Sequence, residues 1–311
     1  MSACTALRGS FTALITPFTA DGTTVDLDRL GENLKRQADA GMTGVVPCGT
    51  TAETPTLSDA EYRAVITRTM DFARPLGLTV IAGAGANSTA HALELHRFAA
   101  SSGADAALQV VPYYNKPSQD GIYRHFMTLA DAVDLPIVLY NVPGRTGVAM
   151  SIDTITRLAA HPNVVAIKDA TGGLDFAYET VERTDLVLLS GDDPLTLPMS
   201  IIGGSGVISV VGNVVPDQVA ALCRACADGA WDDARAINRT LVPLARALLS
   251  LDVNPVPVKA ALQQMGLDTG AVRLPLAPAA ESTCQAIAEL LDAATPSAAP
   301  PVAPPVAPVM S

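Results

Sequence analysis

The chain is short of lysine, aromatic rings and charge. Only four lysines (Lys35, Lys116, Lys168 and Lys259) stand against sixteen arginines, aromatic residues make up 4% of the 311 positions and charged residues 16%. Each scarcity excludes something. The 20 basic residues are outnumbered by 31 acidic ones, a formal charge of -11, so a basic surface for a nucleic-acid backbone is not expected. A local pocket can still oppose that net field and take a small anion. Five cysteines, at positions 4, 48, 223, 226 and 284, are too few and scattered for a disulfide framework. Cys223-x-x-Cys226 lacks a second ligand pair at zinc-finger spacing and sits among Ala and Leu, as on one face of a helix. No metal site and no cofactor are expected. No apolar run reaches the roughly 18 residues of a membrane helix, and no charged start leads into an apolar stretch, so a soluble cytoplasmic protein is expected. What is plentiful is apolar side chain, 49% of the sequence, enough for a sizeable core.

The apolar residues are organised. Short β-branched runs at Phe11–Pro17, Gly44–Cys48, Leu78–Gly83, Ala106–Val111, Pro136–Tyr140, Val164–Lys168, Leu186–Ser190 and Gly206–Val210 read as eight buried parallel strands. Helical stretches lie between them. Ser58-Asp-Ala-Glu61 is a capping box, and Asp26, Ser88, Ser118 and Ser151 are N-caps. Gly41, Gly77 and Gly103 follow helical stretches, where a left-handed cap is wanted.

Eight βα units point to an α/β fold, a (β/α)8 TIM barrel. The open doubly wound sheet is disfavoured, because no Gly-x-Gly-x-x-Gly turn follows the first strand. From Pro216 the pattern is helical only, over Asp217–Asp228, Asp232–Leu251, Val258–Met265 and Glu281–Ala293. The expected organisation is a barrel over 1–215, a last barrel helix with a C-terminal helical extension over 216–293, and a flexible Pro/Ala-rich tail over 294–311.

In such a barrel the chemistry sits at the C-terminal ends of the strands. The polar residues expected there are Thr50 and Thr51, Tyr113 and Tyr114, Tyr140 and Arg145, and Lys168. Lys168 ends the run Val164-Val-Ala-Ile167. A charged amine at the end of a buried strand is costly unless paired, and burial favours the neutral form, which attacks ketones and forms a Schiff base. Two readings are open: this nucleophile, or an ion pair with Asp169 or another carboxylate. Tyr140 is either a core tyrosine with a capped hydroxyl or a proton donor and acceptor beside an imine. Thr50 and Thr51 form either an ordinary turn or a hydroxyl relay with backbone N–H groups for a carboxylate. Arg145 follows a Pro-Gly turn and is either a solvated loop residue or a carboxylate clamp. The glycines of Gly203-Gly-Ser-Gly206 precede the eighth strand, at the wrong end for a phosphate site.

The motifs as a set resemble the dihydrodipicolinate synthase family of pyruvate-dependent class I aldolases, which also includes N-acetylneuraminate lyase. They are Gly49-Thr-Thr-Ala-Glu53, Val111-Pro-Tyr-Tyr-Asn-Lys-Pro117, Leu139-Tyr-Asn-Val-Pro-Gly-Arg-Thr-Gly147, Ile167-Lys-Asp-Ala-Thr-Gly172, Ser190-Gly-Asp-Asp193, Gly206-Val-Ile-Ser209 and Asn254-Pro-Val-Pro-Val-Lys259. The resemblance covers about residues 9 to 293. It implies a lyase in which Lys168 forms an imine with pyruvate, whose enamine attacks L-aspartate 4-semialdehyde in the diaminopimelate and lysine pathway. It also implies Tyr140 as the acid–base residue and Thr50 as its link to Tyr114 of a neighbouring subunit. Thr50 and Thr51 would hold pyruvate's carboxylate, Arg145 the carboxylate of the semialdehyde, and the backbones of Gly191 and Ile208 would line the pocket. A shared site implies at least a dimer, and the family is commonly tetrameric.

Two departures stand out. Ala52 replaces the family's usual glycine. The lysine-feedback site of some relatives maps to Thr54, Pro55, Asp59, Tyr62, Asn87, His91 and Tyr113, where His91 replaces an acidic residue and Asp59 and Tyr62 replace histidines. Weak or absent lysine inhibition is therefore expected. The alternatives are another Schiff-base aldolase or dehydratase of the same family, or a non-catalytic barrel acting as a binding protein.

Overall fold

The structure, a computed structural model, describes residues 7–294. The tail expected over 294–311 lies outside the described residues beyond Ala294, as does Cys4. Eight strands form one closed parallel barrel in chain order, with β1 paired to both β2 and β8. They are β1 Gly9–Ala13, β2 Gly44–Val46, β3 Thr79–Gly83, β4 Ala106–Val110, β5 Ile137–Asn141, β6 Val164–Asp169, β7 Val187–Ser190 and β8 Gly206–Ser209.

Every expected strand is present, with most ends shifted by one or two residues. The largest difference is the first. β1 starts earlier, at Gly9, and leaves the sheet after Ala13; the Ile15 N–H then goes to the Asn213 side chain (3.1 Å) rather than to a strand. The barrel closes between β1 and β8 with almost no space between backbones. A Cβ on Gly206 would lie 1.9 Å from the Gly9 carbonyl oxygen, so only glycine fits there.

Helices cover the outside. The first four are α1 Leu27–Asp39, α2 Asp59–Ala73, α3 Thr89–Ser101 and α4 Gln119–Ala132. After β5 come α5 Pro143–Thr146 and α6 Ile152–Leu158, after β6 α7 Asp175–Arg183, and after β7 α8 Thr196–Ile201. The C-terminal part holds α9 Pro216–Ala227, α10 Trp231–Ser250, α11 Val256–Gln264 and α12 Glu281–Ala294.

The capping signals act as read. Ser58 accepts from the Glu61 N–H (3.3 Å) while the Glu61 carboxylate takes the Ser58 N–H (2.9 Å). Asp26, Ser88, Ser118 and Ser151 each accept from the N–H three residues on. Gly41, Gly77 and Gly103 take φ of +77°, +73° and +84°.

The two faces of each strand serve different layers. Val138 and Ala166 point into the barrel with Phe11, Ile81 and Leu189, whereas Leu139 and Ile167 pack outward under the helices. Period-two alternation therefore carries Tyr140 and Lys168, two residues beyond Val138 and Ala166, to the inside at its C-terminal end. The C-terminal helices are joined by a core of Val219, Leu244, Leu248, Val258 and Ile287.

Candidate active site

At the C-terminal ends of the strands lies a cleft of about 550 Å³. Lys168 and Tyr140 form its floor as register partners on β6 and β5, both 5% exposed. The Lys168 amine stands 4.2 Å from the centre of the Tyr140 ring.

The alternative reading of Lys168 as half of an ion pair does not hold. Among the described residues no carboxylate lies within salt-bridge distance of its amine. Asp169, one residue on, points to the opposite face of the strand, where its Oδ1 accepts from the Thr171 N–H (2.9 Å). Burial pushes the Asp169 carboxyl above its ordinary range. The second buried lysine shows what a structural amine looks like here. Lys259 Nζ donates to Glu53 Oε1 (2.6 Å) and the Ala271 carbonyl (2.7 Å), and lies 4.0 Å from the Phe18 ring centre. Lys259 is saturated, whereas among the described residues Lys168 has only the ring face of Tyr140.

Room for the Lys168 side chain depends on Gly191, which follows β7. A Cβ there would lie 3.0 Å from Lys168 Cε and 2.9 Å from the Ala170 Cβ. Gly191 thus borders the cleft for a steric reason.

Thr50 and Thr51 begin a single 3-10 turn, Thr50–Ala52, at the cleft wall. The carbonyls of this loop are turned into the protein. Gly49 O accepts from Thr54 Oγ1 (2.8 Å), Thr50 O from the Glu53 N–H (3.2 Å) and Ala52 O from Thr16 Oγ1 (2.8 Å). The first N–H groups of such a turn have no partner inside it, and among the described residues none is found for those of Thr50 and Thr51. Two N–H donors beside a buried amine suit a 2-oxo acid's carboxylate. Arg145, exposed on α5, reaches the same cleft from the rim.

The structure therefore brings Thr50, Thr51, Tyr140, Arg145, Lys168 and Gly191 to one cleft. It does not bring Tyr114 or Ile208 to the cleft wall. Ile208 is packed in the barrel interior, and Val210 borders the cleft above it. Tyr114 is 88% exposed with φ +73° and does not line the cleft of its own barrel. No hydrogen bond joins Thr50 to Tyr140 among the described residues.

The residues matched to a feedback site lie elsewhere. Thr54, Pro55, Asp59 and Tyr62 lie in the turn after β2 and the start of α2, Asn87 and His91 at the start of α3, and Tyr113 after β4. Asn115 Nδ2 donates to the Asn87 carbonyl (2.9 Å), bringing the last two segments together. The Tyr62 hydroxyl donates to the Gly83 carbonyl (2.9 Å), and burial pushes its pKa up.

Sequence reading missed a whole wall. Arg246, Leu249 and Ser250 of α10 border the cleft, as do Asn254 and Asp192. Burial pushes the Asp192 carboxyl up. An amphipathic helix outside the βα repeat carries no sign that its C-terminal end reaches the barrel mouth. Asn254 stood in a quoted motif but without a role. Cys223 and Cys226 are free thiols one turn apart on α9. Among the described residues no group of three His, Cys, Asp or Glu side chains converges to hold a metal ion.

Comparison with known proteins agrees with this geometry. Residues 6–294 match the model of the dihydrodipicolinate synthetase family. The chain is 50% identical over 288 residues to a 4-hydroxy-tetrahydrodipicolinate synthase of Sorangium cellulosum, covering 92% of this chain and 95% of that one. It is 46% identical over 274 residues to the enzyme of the same name from Methanothrix thermoacetophila, covering 87% and 91%. Among solved structures, dihydrodipicolinate synthase from Aquifex aeolicus superposes with a TM-score of 0.89 at 43% identity, covering 92% of this chain and 97% of that one. The Acinetobacter baumannii enzyme, solved as a complex with pyruvate, superposes with a TM-score of 0.90 at 40% identity, covering 93% and 99%. The chain belongs to the dihydrodipicolinate synthetase family.

Proposed function

We propose that this protein is a 4-hydroxy-tetrahydrodipicolinate synthase, a lyase that condenses pyruvate with L-aspartate 4-semialdehyde in the diaminopimelate and lysine branch of amino-acid biosynthesis. The carrying observation is the buried, carboxylate-free Lys168 amine beside Tyr140, in a chain half identical to a synthase of that name.

In this reading the Lys168 amine attacks the pyruvate ketone and water leaves, giving an imine. Loss of a methyl proton turns the imine into an enamine. The enamine carbon bonds to the aldehyde carbon of the semialdehyde, and the aldehyde oxygen takes up a proton as a hydroxyl. The amine of the semialdehyde then attacks the imine carbon, closing the ring and releasing Lys168. Atoms balance as two substrates giving the hydroxylated ring and one water.

Tyr140 moves the protons that imine formation and release require. Thr50 and Thr51 hold the pyruvate carboxylate through their N–H groups, and Arg145 holds that of the semialdehyde. The backbones of Gly191 and Ile208 complete the pocket. Tyr114 acts in a neighbouring subunit, meeting Thr50 there; its exposure and left-handed backbone support a role outside its own barrel. The working unit is then at least a dimer, with a tetramer as the assembly and the cytoplasm as the setting. The residues around Thr54, Asn87 and Tyr113 form the counterpart of the lysine-feedback site.

Borohydride reduction in the presence of pyruvate tests the reading directly. One reduced pyruvate adduct is expected on Lys168 and none after Lys168→Ala. Turnover is expected with L-aspartate 4-semialdehyde and not with sugar aldehydes; an adduct without condensation on that semialdehyde would assign the chain to another aldolase branch.

A further inference from the structure

Two segments some 200 residues apart are fastened together behind the cleft. Glu53, which ends the Thr50–Ala52 turn, is 3% exposed, and both of its carboxylate oxygens are occupied. Oε1 takes the Lys259 ammonium of α11 (2.6 Å) and Oε2 the Arg273 N–H (3.0 Å). A second tie lies beside the first. Asn254 Nδ2, just before α11, donates to Thr51 Oγ1 (3.0 Å).

The backbone at Glu53 explains why a tie is needed. Its φ is +55°, in the left-handed region, and it is not glycine. Such a residue persists only where its surroundings over-determine it. In this conformation its N–H closes the turn on the Thr50 carbonyl (3.2 Å). That bond helps set the plane of the peptides whose N–H groups face the cleft. Lys259 is itself fixed by the Ala271 carbonyl and the Phe18 ring, and Asp268 lies near enough to add to its field. The anchor is rigid and the strained residue hangs from it.

We propose that Glu53 and Lys259 are positioning residues, whose ion pair holds the Thr50–Thr51 N–H groups in register with the carboxylate of the 2-oxo acid bound at Lys168. The proposal rests on the reading that those N–H groups hold that carboxylate. It assigns the C-terminal helices a part in substrate selection, although neither Glu53 nor Lys259 touches the cleft.

A purely structural pair makes a different prediction. Breaking one partner of a buried pair strands a charge, whereas replacing both with apolar residues is often neutral for stability. Glu53→Leu and Lys259→Met would therefore each lower the melting temperature, and the double variant would recover most of it. A positioning pair recovers stability in the double variant without recovering substrate selection.

The experiment compares imine formation at Lys168, trapped with borohydride, for pyruvate and for acetone, which has the ketone but no carboxylate. The double variant is expected to need about tenfold more pyruvate for half-saturation, the worth of one hydrogen bond at about 1.4 kcal/mol, with acetone unchanged. Glu53→Asp keeps the charge but shortens the arm, and is expected to raise the pyruvate requirement less. It keeps the test available if the double variant fails to fold. A folded double variant, or Glu53→Asp alone, with the original preference for pyruvate over acetone overturns the positioning role. A wild-type protein with no such preference overturns the carboxylate reading beneath it, and with it this inference.

Discussion

Lys168 and Tyr140 meet because β5 and β6 pair Tyr140 with Lys168, placing the amine 4.2 Å from the ring centre. The tyrosine ring is the wall against which the lysine lies, and its hydroxyl is the nearest candidate for moving protons. The two roles are separable by substitution.

Tyr140→Phe keeps the ring and removes only the hydroxyl. Half-saturation by pyruvate is expected to change little, while kcat falls by roughly 10²–10⁴, the usual worth of a general acid–base group. Steady-state kinetics with both substrates check this. An unchanged kcat would take Tyr140 out of the proton path.

Gly191→Ala places a methyl 3.0 Å from Lys168 Cε and 3.0 Å from the Asp169 carbonyl oxygen. The lysine must swing away from its working position. A fall in kcat/KM of about tenfold or more is expected, equal to about 1.4 kcal/mol in the barrier. Gly173→Ala is the control, because a Cβ there meets nothing within 4 Å. Equal activity in the two variants would show that the lysine has slack.

His96 and His125 are buried, and burial holds each pKa down to about 4 from an ordinary 6.5. Their Nε2 atoms have no partner among the described residues. A base whose folded pKa lies below its unfolded pKa binds fewer protons when folded. The stability it contributes is complete above pH 6.5 and is lost as pH falls through 6.5 toward 4, by up to about 3 kcal/mol for each histidine. Urea midpoints at pH 7 and pH 4.5 should differ strongly for the wild type and less for a His96→Gln/His125→Gln variant. That comparison isolates the histidines from the buried carboxyls of Asp169, Asp192 and Asp193, whose raised pKa values act in the opposite sense. Equal pH slopes in both proteins would contradict the assignment.

Inhibition of turnover by lysine is expected to be weak or absent. The resemblance matches His91 to an acidic position of the feedback site in some relatives, and His91 faces Glu94 at 3.5 Å on its own helix. The Tyr62 hydroxyl is committed to the Gly83 carbonyl. A feedback site without its ammonium-binding acid loses the charge that selects lysine. Half-inhibition at low micromolar lysine would overturn this.

The order of elements and the presence of a lysine at the barrel mouth were legible in the sequence. Alternating βα periodicity encodes the strands locally, and a lysine closing an apolar run is conspicuous because burying an unpaired charge is expensive. The capping residues were equally legible, since a cap is a contact between residues three apart. What the tertiary structure alone decided is which long-range partners exist. It left Lys168 without a carboxylate, gave Lys259 to Glu53, tied Asn254 to Thr51, and brought the end of α10 to the cleft. The Lys259–Glu53 and Asn254–Thr51 contacts join residues about 200 positions apart and follow from how the barrel closes, a global event that no local pattern records.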